Sequence, residues 1–347
     1  MKKRYALTLL LFGLLSCKTA IPTSSDTIEN KSNSTSTAFI TFGSCNKYEV
    51  ENVFWDDILA LDPDVFIWGG DNIYADTDDM QKLRAMYDAQ RAIPAYAALM
   101  ENVFITGTWD DHDYGLNDGG VEFRAKQESQ QEFLDFLDVA KSSPRRTREG
   151  VYSSQLISKP AGVIKVINLD TRYFRDGLTN SSEKGKRYEA NPYGQGSVLG
   201  DAQWAWLAKE LKNSKADFNL IVTSIQFLSN AHGFEKWANF PHEVDKMTQL
   251  LKESQAKGVI FLSGDRHISE FSKRTIDGLE YPIIDFTSSG LTHAYNGFTG
   301  EPNPYRSGEV VFTTSFGLLE LNLEMKEATF KMMGDNGEVL QQMKQQY

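Results

Sequence analysis

Residues 65–76 read Val-Phe-Ile-Trp-Gly-Gly-Asp-Asn-Ile-Tyr-Ala-Asp, an apolar run that breaks into a carboxylate, a phenol and a second carboxylate. The run at 65–68 is too short for a helix and suits a buried strand. In open α/β sheets, ligands collect beyond the carboxyl ends of strands, which is where Asp71, Tyr74 and Asp76 then fall. The pattern recurs. Trp-Asp-Asp-His-Asp at 109–113 follows the apolar run 103–106, and Ser-Gly-Asp-Arg-His at 263–267 follows 259–262. Gly-Ser-Cys at 43–45 follows 38–42, and Asp-Thr-Arg at 170–172 follows 163–169. A single aspartate after a strand is often only a helix cap. Five strand ends carrying carboxylate, imidazole, thiol, phenol and guanidinium groups point instead to a hydrolase built around hard metal ions.

Outward from these motifs, the runs 220–223 and 283–286 read as further buried strands. Residues 201–211 read as a helix, with Asp201 as cap and Trp204, Leu207, Ala208 and Leu211 on one apolar face. Alternating strands are expected at 317–323 and 328–332, with Asp335-Asn336-Gly337 turning a last hairpin. No second linker or internal repeat interrupts residues 38–347, enough chain for one large domain. The expected fold class is α/β, a layered sandwich with two mixed β-sheets.

The first 37 residues read differently. Lys2, Lys3 and Arg4 precede an apolar stretch at 5–15 that ends in Leu-Leu-Ser-Cys. A basic start and an apolar core too short to span a bilayer are signal-peptide features. Residues 1–16 are therefore expected to be a signal peptide, and Cys17 in its setting is similar to the lipidated cysteine of bacterial lipoproteins. Residues 18–37, mostly Ser, Thr, Asn and Lys, are expected to form a flexible tether behind it. Lys18, where an aspartate would retain a lipoprotein at the inner membrane, favours outer-membrane attachment.

Charge narrows the partners. Removing residues 1–16 takes away Lys2, Lys3 and Arg4 and no acid, moving the net charge from -11 to -14. So acidic a chain is not expected to bind nucleic acid through a broad basic face. Any grip on a phosphate must come from cations and a few placed arginines. The chain has two cysteines, so lipidation of Cys17 leaves Cys45 alone and excludes an internal disulfide.

In this order, Gly-Ser-Cys, Gly-Asp-x-x-Tyr-Ala-Asp, Trp-Asp-Asp-His-Asp, Leu-Asp-Thr-Arg and Ser-Gly-Asp-x-His resemble the PhoD-like alkaline phosphatases, within the calcineurin-like metallophosphoesterases. The resemblance covers residues from 38 to the C-terminus. It implies a four-layer αββα sandwich with the metal site between the sheets, and iron paired with calcium or another divalent cation. Carried over by position, it makes Asp71 the bridging ligand and places Cys45 and Tyr74 on a metal suited to Fe(III). Asp111 then falls on the second metal, and Asp265 and His267 complete the set. His112 is implied to touch substrate and protonate the leaving oxygen, with Asp113 orienting it. Arg172 is the favoured phosphoryl clamp, ahead of Arg175 and Arg266. The implied reaction is in-line attack on a phosphomonoester or phosphodiester by water that the metals activate.

On the residues alone, Cys45 also reads as a small buried thiol, Tyr74 as a strand-end cover, and Asp76 and Asp110 as supporting hydrogen-bond partners. Arg266 reads as a partner for an acid. His232, His242 and His293 lack a ligand spacing, and Gln226 lies where relatives of the superfamily often place a ligand. The basic stretch at 142–148 reads as a solvated loop that could border the cleft, and the loops at 176–200 and 230–242 as specificity elements. Two other uses of the chain stay open: hydrolysis of a phospholipid head group or cell-wall polymer, and a non-catalytic surface lipoprotein.

Overall fold

The computed structural model describes residues 26–28 and 36–347. Its strands in chain order are β1 (Asp26–Ile28), β2 (Thr37–Gly43), β3 (Val65–Gly69), β4 (Ile105–Thr108), β5 (Ser153–Lys159), β6 (Gly162–Asn168), β7 (Thr179–Asn180) and β8 (Tyr188–Glu189). They continue as β9 (Phe218–Val222), β10 (Val259–Ser263), β11 (Ser269–Arg274), β12 (Ile283–Ser288), β13 (Phe316–Asn322), β14 (Glu327–Met333) and β15 (Val339–Gln346). The helices are α1 (Trp55–Ala60), α2 (Met80–Arg91), α3 (Pro94–Asn102), α4 (Asp111–Tyr114), α5 (Lys126–Phe136), α6 (Gly200–Lys212) and α7 (Pro241–Ser254).

One sheet runs β1-β5-β6-β9-β10-β12-β11 and the other β15-β14-β13-β2-β3-β4. Alternation along the strands assigns their faces. Val65 and Ile67 of β3 meet Ile260 and Leu262 of β10 in a core between the sheets. Phe66 and Trp68 turn the other way, against Trp55 of α1, Leu83 of α2, Tyr96 of α3 and Phe133 of α5. Val259 and Phe261 turn outward on the far side, against Leu207 of α6 and Met247 of α7. The result is the four-layer αββα sandwich. Strands β2, β3 and β4 are mutually parallel, as are β6, β9, β10 and β12, so each sheet gathers its carboxyl ends at one edge.

Departures from the sequence reading have local causes. The run at 103–106 becomes a strand only from Ile105, because Val103 N–H still donates to Leu99 O to close α3 (2.8 Å). Asp201 lies inside the first turn of α6 rather than capping it; Leu199 is the cap residue. Half-polar β5 and β11 carry little apolar signal, yet both are paired in the sheet. The hairpin at 335–337 does form, with Asn336 in the left-handed region.

Asp26–Ile28 fall inside the stretch expected to be an unstructured tether, yet their backbone pairs in parallel with β5. An open sheet edge is a template for such pairing. The expected signal peptide at 1–16, Cys17 and most of the tether lie outside the described residues. Among the described residues, no helix is long and apolar enough to cross a membrane.

Candidate metal centre and its cleft

Strand ends from both sheets deliver ligand-type side chains to one place. Cys45 follows β2, Asp71 and Tyr74 follow β3, Asp110 and Asp111 follow β4, and Asp265 and His267 follow β10. Several backbones are held against their preference: φ is +60° at Cys45, +51° at Asp71, +67° at Asp265 and +53° at His267. A non-glycine residue held in that region costs about 1–3 kcal/mol and persists only when its surroundings over-determine it. The restraints are present. Asn46 N–H donates to Asp71 O (2.9 Å), Asp71 N–H to Asp113 Oδ1 (3.2 Å), and His267 N–H to Ser289 Oγ (2.7 Å). At Gly70 (φ +99°) a Cβ would lie 2.6 Å from Asp110 Cβ, so only glycine lets the ends of β3 and β4 come this close.

Three overlapping groups result, each with its ligand atoms within 4.8 Å of one another: Cys45, Asp71 and His267; Asp71, Asp111 and His112; Asp110, Asp111 and Asp265. The Tyr74 hydroxyl joins the first, 3.1 Å from Asp71 Oδ2 and 3.2 Å from His267 Nε2. Cys45 Sγ lies 3.5 Å from Asp71 Oδ2 and 3.0 Å from Ser289 Oγ. Asp71 is shared between the first and second groups, as a bridging ligand must be.

The electrostatics call for cations. Burial first, and then the neighbouring acids, hold Asp71 well above the usual carboxylate range; Asp110 and Asp265 are raised by burial in the same way. Asp111 is the exception: burial raises it, but Arg172, His112 and the Asp118 N–H together hold it low. Cys45 resists burial too, drawn down to about 6 by the charge and hydrogen bond of His267 and by bonds from Ser289 and Tyr74. Asp71 Oδ1 and Asp110 Oδ2 are buried without a hydrogen-bond partner. Crowded carboxylates, an acidic thiol and orphaned oxygens fit divalent or trivalent ions.

His112 stands at the wall of this cluster, its Nδ1 2.8 Å from Asp76 Oδ2 and its ring 4.1 Å from that of Tyr74. Burial lowers its pKa, but the Asp76 hydrogen bond and the charges of Asp111 and Asp76 outweigh this and raise it to about 9. Asp76, not Asp113, is therefore the carboxylate that orients His112. Asp113 is occupied elsewhere, accepting from Asp110 N–H (2.8 Å), Asn72 Nδ2 (2.6 Å) and Tyr87 O–H (3.2 Å).

Arg172 also differs from its expected role. Its side chain is 0% exposed, is paired with Asp110 (2.5 Å) and Glu235 (2.6 Å), and does not line the cleft beside the cluster. Arg175 meets the other oxygen of Glu235 (2.9 Å) and is equally buried. Arg266 pairs with Glu301 at 2.7 Å. In the basic stretch, Arg146 meets Asp135, and Arg148 lies over the ring of Tyr152; this stretch lines a separate hollow of about 380 Å³. Gln226 donates to Glu270 (2.8 Å) and Thr287 (2.9 Å) rather than joining a ligand group.

A cleft of about 190 Å³ opens onto the cluster. Asp71, Asp111, His112, Asp265, Arg266 and His267 line it, and the loops at 176–200 and 230–242 add Arg187, Tyr188, Phe234 and Glu235. His293 was legible only as an isolated histidine, yet its ring lies 4.6 Å from that of His267 and 5.0 Å from that of Tyr74. Ser289 carried no signal at all.

The family model of PhoD-like phosphatases matches residues 39–297. The chain belongs to the PhoD-like phosphatase family. As a PhoD-like protein it is 25% identical over 139 residues to alkaline phosphatase D of Bacillus subtilis (strain 168), a match covering 35% of this chain and 24% of that protein. The chain thus spans about a quarter of the length of the curated relative it matches. A solved structure of PhoD is similar over 89% of this chain and 68% of that one, with a TM-score of 0.70 and 17% identity. A dimetal phosphatase from Danio rerio shares the fold at a TM-score of 0.54 and 12% identity, covering 89% of this chain and 99% of that one. The PhoD-like match takes in every strand end that supplies a ligand group.

Proposed function

We propose that this PhoD-like protein is a metal-dependent phosphoester hydrolase acting on phosphodiesters, phosphomonoesters or both. The observation that carries this is the set of ligand groups sharing Asp71 and Asp111 along one cleft. Cys45, Asp71, Tyr74 and His267 would hold one cation; thiolate and phenolate beside a carboxylate suit Fe(III). Asp111 would hold the second, reached by Asp71 in one group and by Asp110 and Asp265 in another, where carboxylate oxygens suit Ca²⁺ or another hard divalent ion. When bound, the pair supplies Lewis-acid activation of water and offsets charge on the phosphoryl oxygens.

The protein's own groups do the rest. Asp76 fixes the His112 ring by its Nδ1, leaving Nε2 to face the cleft and give a proton to the departing oxygen. The Asp76 hydrogen bond favours the protonated ring, the form that can give a proton. Arg172 acts at one remove, holding Asp110 beside the cluster rather than touching the ester. The N-terminal sequence adds that the enzyme is exported and lipid-anchored through Cys17, facing substrates at the outer membrane.

The test is metal analysis of the purified chain with assays on bis-p-nitrophenyl phosphate and p-nitrophenyl phosphate, Asp71→Asn as control. Bound iron or a divalent pair, with hydrolysis that collapses in Asp71→Asn, is the expected result. A folded protein that stays inactive after metal resupply would overturn the reading.

A further inference from the structure

Phe234 is an anomaly in the cleft wall. It is 40% exposed although it lines the same hollow as Asp71, His112 and His267. Scattered surface apolar residues are ordinary, but this one is held rigidly. Its N–H donates to His232 Nδ1 (3.2 Å), its carbonyl accepts from Lys236 Nζ (3.0 Å), and the Arg266 guanidinium lies 4.2 Å from its ring centroid. Arg266 is itself fixed by two bonds to Glu301 (2.9 and 2.7 Å).

The flanking chain is no freer. Gly233 O accepts from Arg187 N–H and Tyr188 N–H, both at 2.8 Å, and a Cβ at Gly233 would come within 2.6 Å of Lys186 Cα. Glu235, the next residue, is locked by buried Arg172 and Arg175 (2.6 and 2.9 Å). An apolar ring on a fixed backbone, with a guanidinium against it and its side chain lining the cleft, is preorganised to receive a ligand group. The cation beneath the ring also polarises it toward a second aromatic partner.

We infer that Phe234 forms a subsite for the second ester arm of a phosphodiester, and that this arm carries an apolar planar group. The inference rests on the phosphoesterase reading of the same cleft. A monoester has no second arm to place there, so the subsite separates the two substrate classes.

Two measurements on the metal-loaded full chain test it. In the first, kcat/KM is compared in wild type, Phe234→Ala and Phe234→Tyr for bis-p-nitrophenyl phosphate, methyl p-nitrophenyl phosphate and p-nitrophenyl phosphate. The expected result is about a tenfold loss in Phe234→Ala on the bis-aryl ester alone, since tenfold corresponds to roughly one good aromatic contact. Phe234→Tyr should keep the preference. Equal losses on all three esters, or none, would overturn the subsite.

The second measurement needs no turnover. Diphenyl phosphate should bind the wild type about tenfold more tightly than dimethyl phosphate, and Phe234→Ala should erase that advantage. If the wild type hydrolyses nothing, the phosphoesterase reading falls, and this comparison still decides the subsite. Equal binding of the two diesters by wild type would sink it.

Discussion

At the scale of single residues, the His112–Asp76 pair is the most exposed to test. If His112 protonates the leaving oxygen, its loss hurts most where the leaving group is poor. His112→Asn should lower kcat by about 10²–10⁴-fold on an alkyl phosphate and less on a nitrophenyl ester, whose oxygen needs little help. Asp76→Asn acts through the ring and should cost about 10–100-fold, with metal content unchanged. Equal losses on both leaving groups would remove the acid role from His112. His232 supports a separate expectation. Burial first, and then Arg266 and Lys236, hold it well below its ordinary value of 6.5, so the native state keeps it neutral. The unfolded chain takes up that proton below about pH 6.5, so the stability tied to His232 is present above this pH and lost as pH falls. The slope is at most about 1.4 kcal/mol per pH unit. Urea midpoints measured between pH 5 and 7 should fall less steeply in His232→Gln than in wild type; parallel curves would exclude the contribution.

Among elements, the buried chain Asp110–Arg172–Glu235–Arg175 ties the end of β4 to the wall loop at 230–242. Removing one partner of a buried ion pair leaves an uncompensated charge, typically at 3–5 kcal/mol. Arg172→Met should therefore destabilise by about that much and loosen the wall, read as a lower urea midpoint and faster amide exchange across 230–242. If midpoint and exchange stay at wild-type values, the network does not hold the loop. The same network shows where sequence reading stops. Apolar runs followed by Asp, His or Cys were legible because burial and punctuation both leave a mark in sequence, and these placed β2, β3, β4 and β10 beside their ligand groups. Arg172 was not legible, since a guanidinium offers the same fork to a phosphate and to a buried carboxylate. Asp113 took the orienting role in the sequence reading because it adjoins His112, whereas Asp76 lies 36 residues away and only the fold brings it to the ring; the capping geometry at α4 shows that Asp113 faces backbone. Phe234 and Ser289 depend on loops whose course no periodicity encodes.

For the molecule as a whole, the metal centre and the fold are one thermodynamic system. Both sheets lend strand ends to the cluster, so cations bound there stabilise the packing of one sheet on the other. Free metal at 100 times its Kd stabilises by about 2.7 kcal/mol per site, and the melting temperature should rise by on the order of 5 °C. The sign of the pH dependence makes this specific. Without metal, Asp71, Asp110 and Asp265 have native pKa values raised above their ordinary 3.8, chiefly by burial. The native state then holds these protons more tightly than the unfolded chain does. Their contribution is present at low pH and is lost as pH rises through the raised values. Metal binding reverses this, because ligands must give up protons to bind and affinity grows with pH. The gap in melting temperature between metal-loaded and chelator-treated protein should therefore widen from pH 5 to 8. His232 and other groups common to both forms cancel in that difference. In Asp71→Asn, which removes the shared ligand, the gap should shrink at every pH. A gap that is absent, or constant across the range, would show that these carboxylates do not bind metal as a unit.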